Sequence, residues 1–182
     1  MNYFRPGLEE SITLPPHPKD SDEIGEVVSA VASRTAEDVE SIRNHDKNVF
    51  YAIEKYCKSK NVEFDRKAMK DLILQAGNII GYFKGSFNRD SPYEVKPSLN
   101  TLPSETNKTR SYPSGHACQS RLVARYMAEK NPAHAEELLR AGNECGLGRV
   151  KGGFHYMSDY HMGNLLGEKL YIFMNRESDD GI

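Results

Sequence analysis

Apolar side chains recur every three or four positions through most of this chain, which is the spacing that gives a helix one buried face. One such face lies within positions 65–84 and comprises Met69, Leu72, Ile73, Ala76, Ile80 and Phe83. A last helix is predicted from about 158 to 174, with a buried face of Leu165, Leu166, Ile172 and Phe173. No run keeps the alternation that is typical of a strand. The pattern predicts an all-α fold, a single-domain helical bundle.

Capping residues indicate where two further helices begin. Thr35 and Asp38 have the spacing of a capping box, ahead of a helix that is predicted to run to about position 58. Asn131 followed by proline predicts an N-cap with proline in the first turn, opening a helix that ends near position 145.

The first twenty residues differ from the rest of the chain in their proline content. They hold Pro6, Pro15, Pro16 and Pro18, and proline at this density excludes a regular helix. We therefore expect an extended N-terminal arm over 1–20, lying on the surface or on a neighbouring molecule. A helical domain over 21–176 and a flexible tail over 177–182 would follow. Within the domain, 85–114 and 146–156 are predicted to be loops, which often carry function when a rigid scaffold positions them.

Composition narrows the class of protein. The 182 residues include 24 Lys and Arg against 26 Asp and Glu, a formal net charge of -2, which argues against a nucleic-acid partner. No apolar stretch approaches the ~18 residues of a membrane span, so no membrane partner is expected. The three cysteines form no C-x-x-C pair, and the N-terminus does not resemble a signal peptide. A reducing, cytoplasmic location is therefore predicted.

The segment Pro113-Ser114-Gly115-His116 stands directly before a predicted helix over 117–129. Anions bind at a helix N-terminus because its N–H groups are unpaired and the helix dipole favours negative charge. Ser114 and Gly115 would offer a hydroxyl and backbone N–H groups there, with His116 in the first turn beside a bound phosphate. Taken alone, an ordinary turn with an N-cap serine explains the segment equally well.

A second group consists of Arg149, His155 and Asp159. His155 and Asp159 are four positions apart, so one helical turn brings the carboxylate under the imidazole. A carboxylate that accepts the Nδ1 proton leaves Nε2 with a free lone pair, as a histidine nucleophile requires. Arg149 can donate a planar fork of hydrogen bonds to phosphate oxygens. The simpler interpretation is a histidine at a helix start that a nearby aspartate satisfies.

A third group, Lys84, Arg89 and Pro92, follows the helix over 65–84 and by itself is typical of a solvated helix end. In their order along the chain, the three groups resemble the phosphatidic-acid-phosphatase type 2 superfamily. This superfamily includes the bacterial class A non-specific acid phosphatases, which the chain resembles most, and the vanadium haloperoxidases. Its pattern is K-x6-R-P, then P-S-G-H, then S-R-x5-H-x3-D.

The agreement differs between the three blocks of this pattern. The second block is complete, and the third agrees except at Gly148, which replaces the serine. In the first block Lys84 is in place, but Ser91 stands where the family has arginine. Arg89 lies two residues earlier, where many relatives carry an extra arginine, and is expected to supply the missing guanidinium.

The resemblance implies a metal-independent acid phosphatase that hydrolyses small phosphomonoesters and needs no cofactor. His155 Nε2 would attack phosphorus and form a phosphohistidine, while Asp159 would hold the imidazole. His116 would protonate the leaving group and then activate water, so activity would be highest below neutral pH and sensitive to vanadate. The implied phosphate ligands are Lys84, Arg89, Ser114, Gly115 and Arg149.

Two other functions remain open at this point. His116, His155 and Asp159, with His161, are residue types that bind divalent metal ions in hydrolases, although positions 155 and 161 of one helix lie about 120° apart. A non-catalytic anion-binding protein would keep the phosphate ligands and lose turnover through Ser91. The partner expected from the resemblance is a small phosphate ester, and a homo-oligomer formed through the arm stays open.

Overall fold

The structure is a computed structural model that describes the backbone of residues 2–179 and the side chains of residues 2–174. All regular elements in this part of the chain are helical, so the predicted all-α fold is confirmed. The α-helices are α1 (Asp20–Ser33), α2 (Ala36–Lys47), α3 (Tyr51–Lys60), α4 (Arg66–Phe87), α5 (Pro92–Val95), α6 (Gly115–Lys130), α7 (Ala135–Lys151) and α8 (Met157–Asp179).

Helix α6 is the centre of the bundle and packs against α4, α7 and α8. Its contact with α8 is close because glycines of α8 face it. A Cβ built on Gly163 would lie 2.5 Å from the carbonyl oxygen of Ser114, and one on Gly167 would lie 2.7 Å from that of Cys118. Real Cβ atoms do not approach so closely. The glycines therefore fix how near the start of α6 lies to the start of α8.

The N-terminal arm packs on its own domain. Tyr3, Leu8, Ile12 and Leu14 are buried in the main apolar core, and a 3-10 turn, Leu8–Ser11, packs against α4. The hydroxyl of Tyr112 donates to the Pro15 carbonyl over 2.7 Å. The arm thus holds the segment that precedes the start of α6.

The helix predicted from Thr35 to about position 58 is two helices. The capping box of Thr35 and Asp38 is confirmed, but α2 ends at Lys47 and α3 begins at Tyr51. Asn48 makes the break because its side chain competes with the helix backbone. Its Oδ1 accepts from the backbone N–H of Phe50, and its Nδ2 donates to Glu54.

The predicted loop over 146–156 was wrong for its first half. After a 3-10 turn at Pro132–His134, α7 runs from Ala135 to Lys151, well past position 145. Gly146 and Gly148 lie inside α7. At Gly146 the missing side chain permits close packing, because a Cβ there would lie 2.6 Å from the ring of Tyr160. The predicted loop over 85–114 likewise begins inside α4 and contains α5.

Helix α8 buries part of the predicted face, since Leu166 lies in the main apolar core and Phe173 packs against it. Leu166 and Leu170 are fully buried, whereas Leu165 is 40% exposed and Ile172 is 45% exposed. The apolar pair at 165 and 166 left the face ambiguous, and packing against α6 selects the second leucine. Of the predicted tail over 177–182, residues 180–182 lie outside the described residues, and α8 continues to Asp179.

Over the described residues, no helix is both long enough and apolar enough to cross a bilayer.

Candidate active site

His155 and Asp159 form a buried pair where α8 begins. The His155 Nδ1 atom lies 3.2 Å from Asp159 Oδ2, and the two side chains are 4% and 0% exposed. The same carboxylate oxygen accepts the backbone N–H of Tyr156 over 2.8 Å. It also accepts the hydroxyl of Ser111. These donors fix the orientation of the carboxylate, and the carboxylate orients the ring.

The pair has the protonation states that a histidine nucleophile requires. Burial lowers the pKa of His155 to about 4, although the hydrogen bond that its ring makes to Asp159 acts to raise it. Burial acts to raise the pKa of Asp159, but the hydrogen bond with His155 and the positive charge of Arg89 outweigh burial, and the pKa is lowered overall. Near neutral pH the imidazole is therefore neutral beside an ionised carboxylate. With its proton on Nδ1, the lone pair is on Nε2.

Lys84 comes from the last turn of α4 and meets the N-terminus of α6. A Cβ built on Gly115 would lie 3.8 Å from Lys84 Cε, and the ammonium group donates to the carbonyl of Arg110. Burial lowers the pKa of Lys84 to about 8, with Asp159 acting to raise it and Arg149 to lower it. The side chain is a buried cation at neutral pH.

His116 lies in the first turn of α6 and lines a cavity of about 460 Å³ together with Lys84 and Gly115. Its Nε2 atom is buried and has no hydrogen-bond partner in the described part of the chain. Burial, the largest influence, and the positive charges of Arg149 and Lys84 hold its pKa well below 6.5. Lys84 of the first motif block thus lines the same cavity as Gly115 and His116 of the second, and the backbone of Ser114 contacts Asp159 of the third.

Ser114 is the N-cap of α6. Its Oγ accepts the backbone N–H of Ala117 over 3.3 Å, and its own N–H donates to the Asp159 carbonyl over 3.0 Å. The hydroxyl proton is left to donate to a ligand, and the second of these bonds ties the start of α6 to the start of α8.

Arg149 is buried on α7, and part of its guanidinium is already hydrogen-bonded to neighbouring side chains. It donates to Asp46 over 2.7 Å and to the Ser104 hydroxyl over 3.3 Å, and stacks on the Phe154 ring. Its Nε has no partner among the described residues. Burial acts to raise the pKa of Asp46, but hydrogen bonds from Ser104 and Thr106 lower it. The ion pair thus holds Arg149 in place.

Arg89 lies behind Asp159, a position that differs from the phosphate-binding one that the sequence predicts. Its guanidinium donates to Asp20, Glu23 and Asp159, each over 2.8 Å. It also stacks on the Tyr156 ring at 3.8 Å. Because three carboxylates and a ring surround the guanidinium, it neutralises their negative charge and holds Asp159 through the carboxylate oxygen that does not contact His155.

Ser91 is fully buried at the start of α5, and its Oγ has no hydrogen-bond partner among the described residues. The backbone N–H of Ser91 donates to Glu94. With serine here and Arg89 turned towards carboxylates, Lys84 and Arg149 are the cations that remain of the predicted phosphate ligands.

Several residues of the site were missed by the sequence analysis: Asp20, Glu23, Asp46, Ser104 and Ser111. Asp46 had one available signal, because an acid near a helix C-terminus is unfavourable with the helix dipole and calls for a partner. Asp20 and Glu23, at the start of α1, had no such signal, because acidic residues are common at a helix N-terminus.

The metal-binding set considered from the sequence is not assembled in the described residues. They contain no group of three or more His, Cys, Asp or Glu side chains that could hold a metal ion. His161 is exposed on α8, with its ring against Tyr160.

Comparison with a solved structure defines the class of fold. The chain is similar to the crystal structure of a transmembrane PAP2-type phosphatidylglycerolphosphate phosphatase from Bacillus subtilis, with a TM-score of 0.63. The match covers 96% of this chain and 92% of that chain at 17% sequence identity. At this identity the likeness shows the fold alone.

Comparison with curated proteins adds sequence relatives. A non-specific acid phosphatase of Salmonella typhi is 36% identical over 87 residues, which are 46% of this chain and 35% of the relative. An acid phosphatase of Zymomonas mobilis is 31% identical over 103 residues, 55% of this chain and 39% of the relative. The matches therefore span well under half the length of these relatives. No family model matches the chain.

These similarities agree with the motif blocks and the helical architecture. The chain is similar in sequence to bacterial acid phosphatases over about half of its length, and it shares the helical fold of the PAP2-type phosphatase.

Proposed function

We propose that the protein is a phosphatase that hydrolyses small phosphomonoesters through a phosphohistidine intermediate, without a metal ion. The observation that carries this proposal is the buried His155–Asp159 pair, with a neutral imidazole held by an ionised carboxylate. The acid phosphatases among its relatives support the same reaction class.

In the first step, Nε2 of His155 forms a bond to phosphorus and the ester P–O bond breaks. The leaving oxygen takes the bond's electron pair and a proton from His116. The phosphorylated imidazole then carries a positive charge, which Asp159 stabilises through Nδ1. The buried carboxylate thus acts most strongly on the state in which charge has developed.

In the second step, water attacks phosphorus while His116 accepts its proton. The N–P bond breaks, inorganic phosphate leaves, and His155 returns to its neutral form. His116 ends the cycle protonated, as it began.

The phosphoryl oxygens would be neutralised by Lys84, the Gly115 N–H, the Ser114 hydroxyl and Arg149. Phosphoryl transfer depends mainly on positioning and on such electrostatic stabilisation. The pKa of His116 is low mainly because the ring is buried, and the positive charges of Arg149 and Lys84 lower it further. A bound phosphate dianion would offset those charges and raise that pKa, which supplies the acid for the first step.

The test is hydrolysis of p-nitrophenyl phosphate at pH 5–7, with EDTA and separately with orthovanadate. Activity that survives EDTA and is lost to vanadate, which mimics the five-coordinate transition state, is the expected result. His155→Ala is the matched control and should be inactive. Loss of activity with EDTA, or retention of most activity in His155→Ala, would contradict the proposal.

A non-catalytic phosphate-binding protein is the second candidate, and the serine at position 91 is the observation that favours it. It predicts that inorganic phosphate binds the wild-type protein in calorimetry while no ester is hydrolysed. Binding that accompanies hydrolysis excludes this candidate.

We also propose a cytoplasmic location. The support is that Cys57, Cys118 and Cys145 are all free thiols buried in the fold, as is usual in a reducing compartment. Recovery of the native protein mainly from an oxidising compartment after cell fractionation would contradict this location.

A further inference from the structure

The cavity that contains His116 extends well beyond the reacting groups. One of its walls is a stripe along α4 that comprises Arg66, Lys70, Ile73, Gly77, Ile80, Gly81 and Lys84. Residues at this spacing lie on one face of a helix. The first turns of α4 and the reacting end at Lys84 therefore open into the same space.

Three cations besides Lys84 line this space. Lys47 at the end of α2, with Arg66 and Lys70 in the first turns of α4, belong to the lining. Arg66 pairs with Glu54, whereas Lys47 and Lys70 have no carboxylate partner within the described chain. The acidic residue of the lining, Asp46, forms an ion pair with Arg149. Lys47, Lys70 and Lys84 thus leave the lining with a surplus of positive charge.

Between these cations the wall is mainly apolar. Val49 and Phe50 line it from the turn between α2 and α3, and Ile73 and Ile80 from α4. At 1.5 Å per residue, Lys70 and Lys84 are about 20 Å apart along the helix axis, and their flexible side chains shorten the span between charges. A ligand that meets both ends must be elongated, with a less polar middle.

We propose that the cavity takes elongated phosphomonoesters that carry a second anionic group. The scissile phosphate lies at Lys84 and His116, and the distal anion lies against Lys47, Arg66 and Lys70. This inference rests on the proposed phosphatase function and names the substrate class of the same site. Both a distal phosphate and a distal carboxylate have the required charge.

The experiment compares esters that differ only at the distal end. Hexyl phosphate is the reference, hexane-1,6-diol bisphosphate adds a distal phosphate, and 6-(phosphonooxy)hexanoate adds a distal carboxylate. Diol bisphosphates from butane to decane vary the length. After correction for its two equivalent ends, the preferred bisphosphate should exceed the alkyl phosphate of its own length in kcat/KM by about fivefold to tenfold. The preference should be greatest at one chain length and shrink at high salt, because the distal cations are exposed.

Variants assign that preference to the distal cations. Lys70→Gln should lower the ratio of the two kcat/KM values by about two- to threefold, and Lys47→Gln should do the same. Lys67→Gln is the matched control, because Lys67 is exposed on the same helix but outside the cavity lining. This control should keep both the ratio and the activity on hexyl phosphate.

The outcomes separate this inference from the proposed function. Equal kcat/KM for every bisphosphate and its alkyl phosphate, in a protein that hydrolyses both, overturns the distal site and leaves the phosphatase function standing. An equal fall of the ratio in Lys67→Gln and Lys70→Gln overturns it as well, since it would reflect general charge. A folded protein that hydrolyses none of the esters overturns the phosphatase function, and this inference with it.

Discussion

Two sides of the candidate site, the surroundings of Asp159 and the cavity that His116 lines, differ in how completely their polar groups are paired. On the Asp159 side, both carboxylate oxygens have partners, and the guanidinium of Arg89 behind them is held by further carboxylates. On the cavity side, Nε2 of His116 is buried without a partner among the described residues. Buried polar groups are usually satisfied. The contrast therefore separates groups that position the nucleophile from groups left for a ligand.

The positioning side is tested most strongly at Asp159. Asp159→Asn keeps the size of the side chain but removes the charge that stabilises the phosphorylated imidazole. We expect kcat to fall about 100- to 1,000-fold. Steady-state kinetics with p-nitrophenyl phosphate measure this, with circular dichroism to confirm folding. A folded variant with near wild-type kcat would show that the carboxylate has no part in the reaction.

A substitution at Arg89 tests whether its guanidinium stabilises the fold or binds phosphate. Arg89→Met leaves three carboxylates around a site that has lost its positive charge, and breaking a buried ion pair in this way costs about 3–5 kcal/mol of stability. Urea unfolding should show this loss as a lower midpoint. Arg140→Met is the control, because its ion pair with Glu137 is exposed and worth about 1 kcal/mol or less.

Equal losses of stability in Arg89→Met and Arg140→Met would mean that the buried ion pairs of Arg89 stabilise the fold no more than an exposed ion pair does. If Arg89→Met remains as stable as wild type but no longer binds inorganic phosphate, Arg89 is a phosphate ligand after all.

Lys84 makes the cavity side sensitive to pH. Its pKa of about 8 lies below the ordinary 10.5, so the ammonium is charged at neutral pH and loses its proton as the pH rises through 8. Phosphate binding needs that charge and should weaken above pH 8. The inhibition constant of inorganic phosphate between pH 7 and 9.5 measures this weakening.

Lys84→Arg is the matched variant for this test, since arginine stays protonated throughout the range. Its phosphate inhibition should change little between pH 7 and 9.5. A wild-type constant that is flat across pH 8 would mean that Lys84 does not contact phosphate.

Ser91 gives the smallest expected effect. Ser91→Arg restores the family residue at a position that is now uncharged, and a new cation near the phosphate should tighten phosphate inhibition by several-fold. Ser86→Arg adds the same charge at an exposed site on α4 and should have little effect. A folded Ser91→Arg protein that binds phosphate no more tightly would mean that position 91 does not reach the ligand.

The contacts that depend on short spacing could be predicted from the sequence. His155 and Asp159 are one helical turn apart, and Ser114 and His116 stand at a helix start. The partners that hold these groups could not, because they come from distant segments. Asp46 and Arg149 are 103 positions apart, and Glu23 and Ser158 are 135 apart. Nothing local in the sequence links such residues.

The predicted ends of helices were wrong for a related reason. Gly146 and Gly148 indicate a loop locally, since glycine weakens a helix. In the structure the missing side chain at Gly146 lets α7 approach Tyr160, and this packing outweighs the local preference. Arg149 therefore projects from a helix towards Asp46, whereas the sequence had placed it on a loop.

The central claim is that His155 is the nucleophile, and its covalent intermediate is the most direct test. The protein would be mixed with p-nitrophenyl phosphate, quenched in alkaline denaturant and digested for mass spectrometry. The account predicts one phosphoryl group on His155, absent from His155→Ala. The phosphoenzyme should accumulate in His116→Ala, because p-nitrophenolate leaves without an acid while the attacking water needs a base. Turnover with no phosphorylated histidine, or with the phosphoryl group on another residue, would contradict the account.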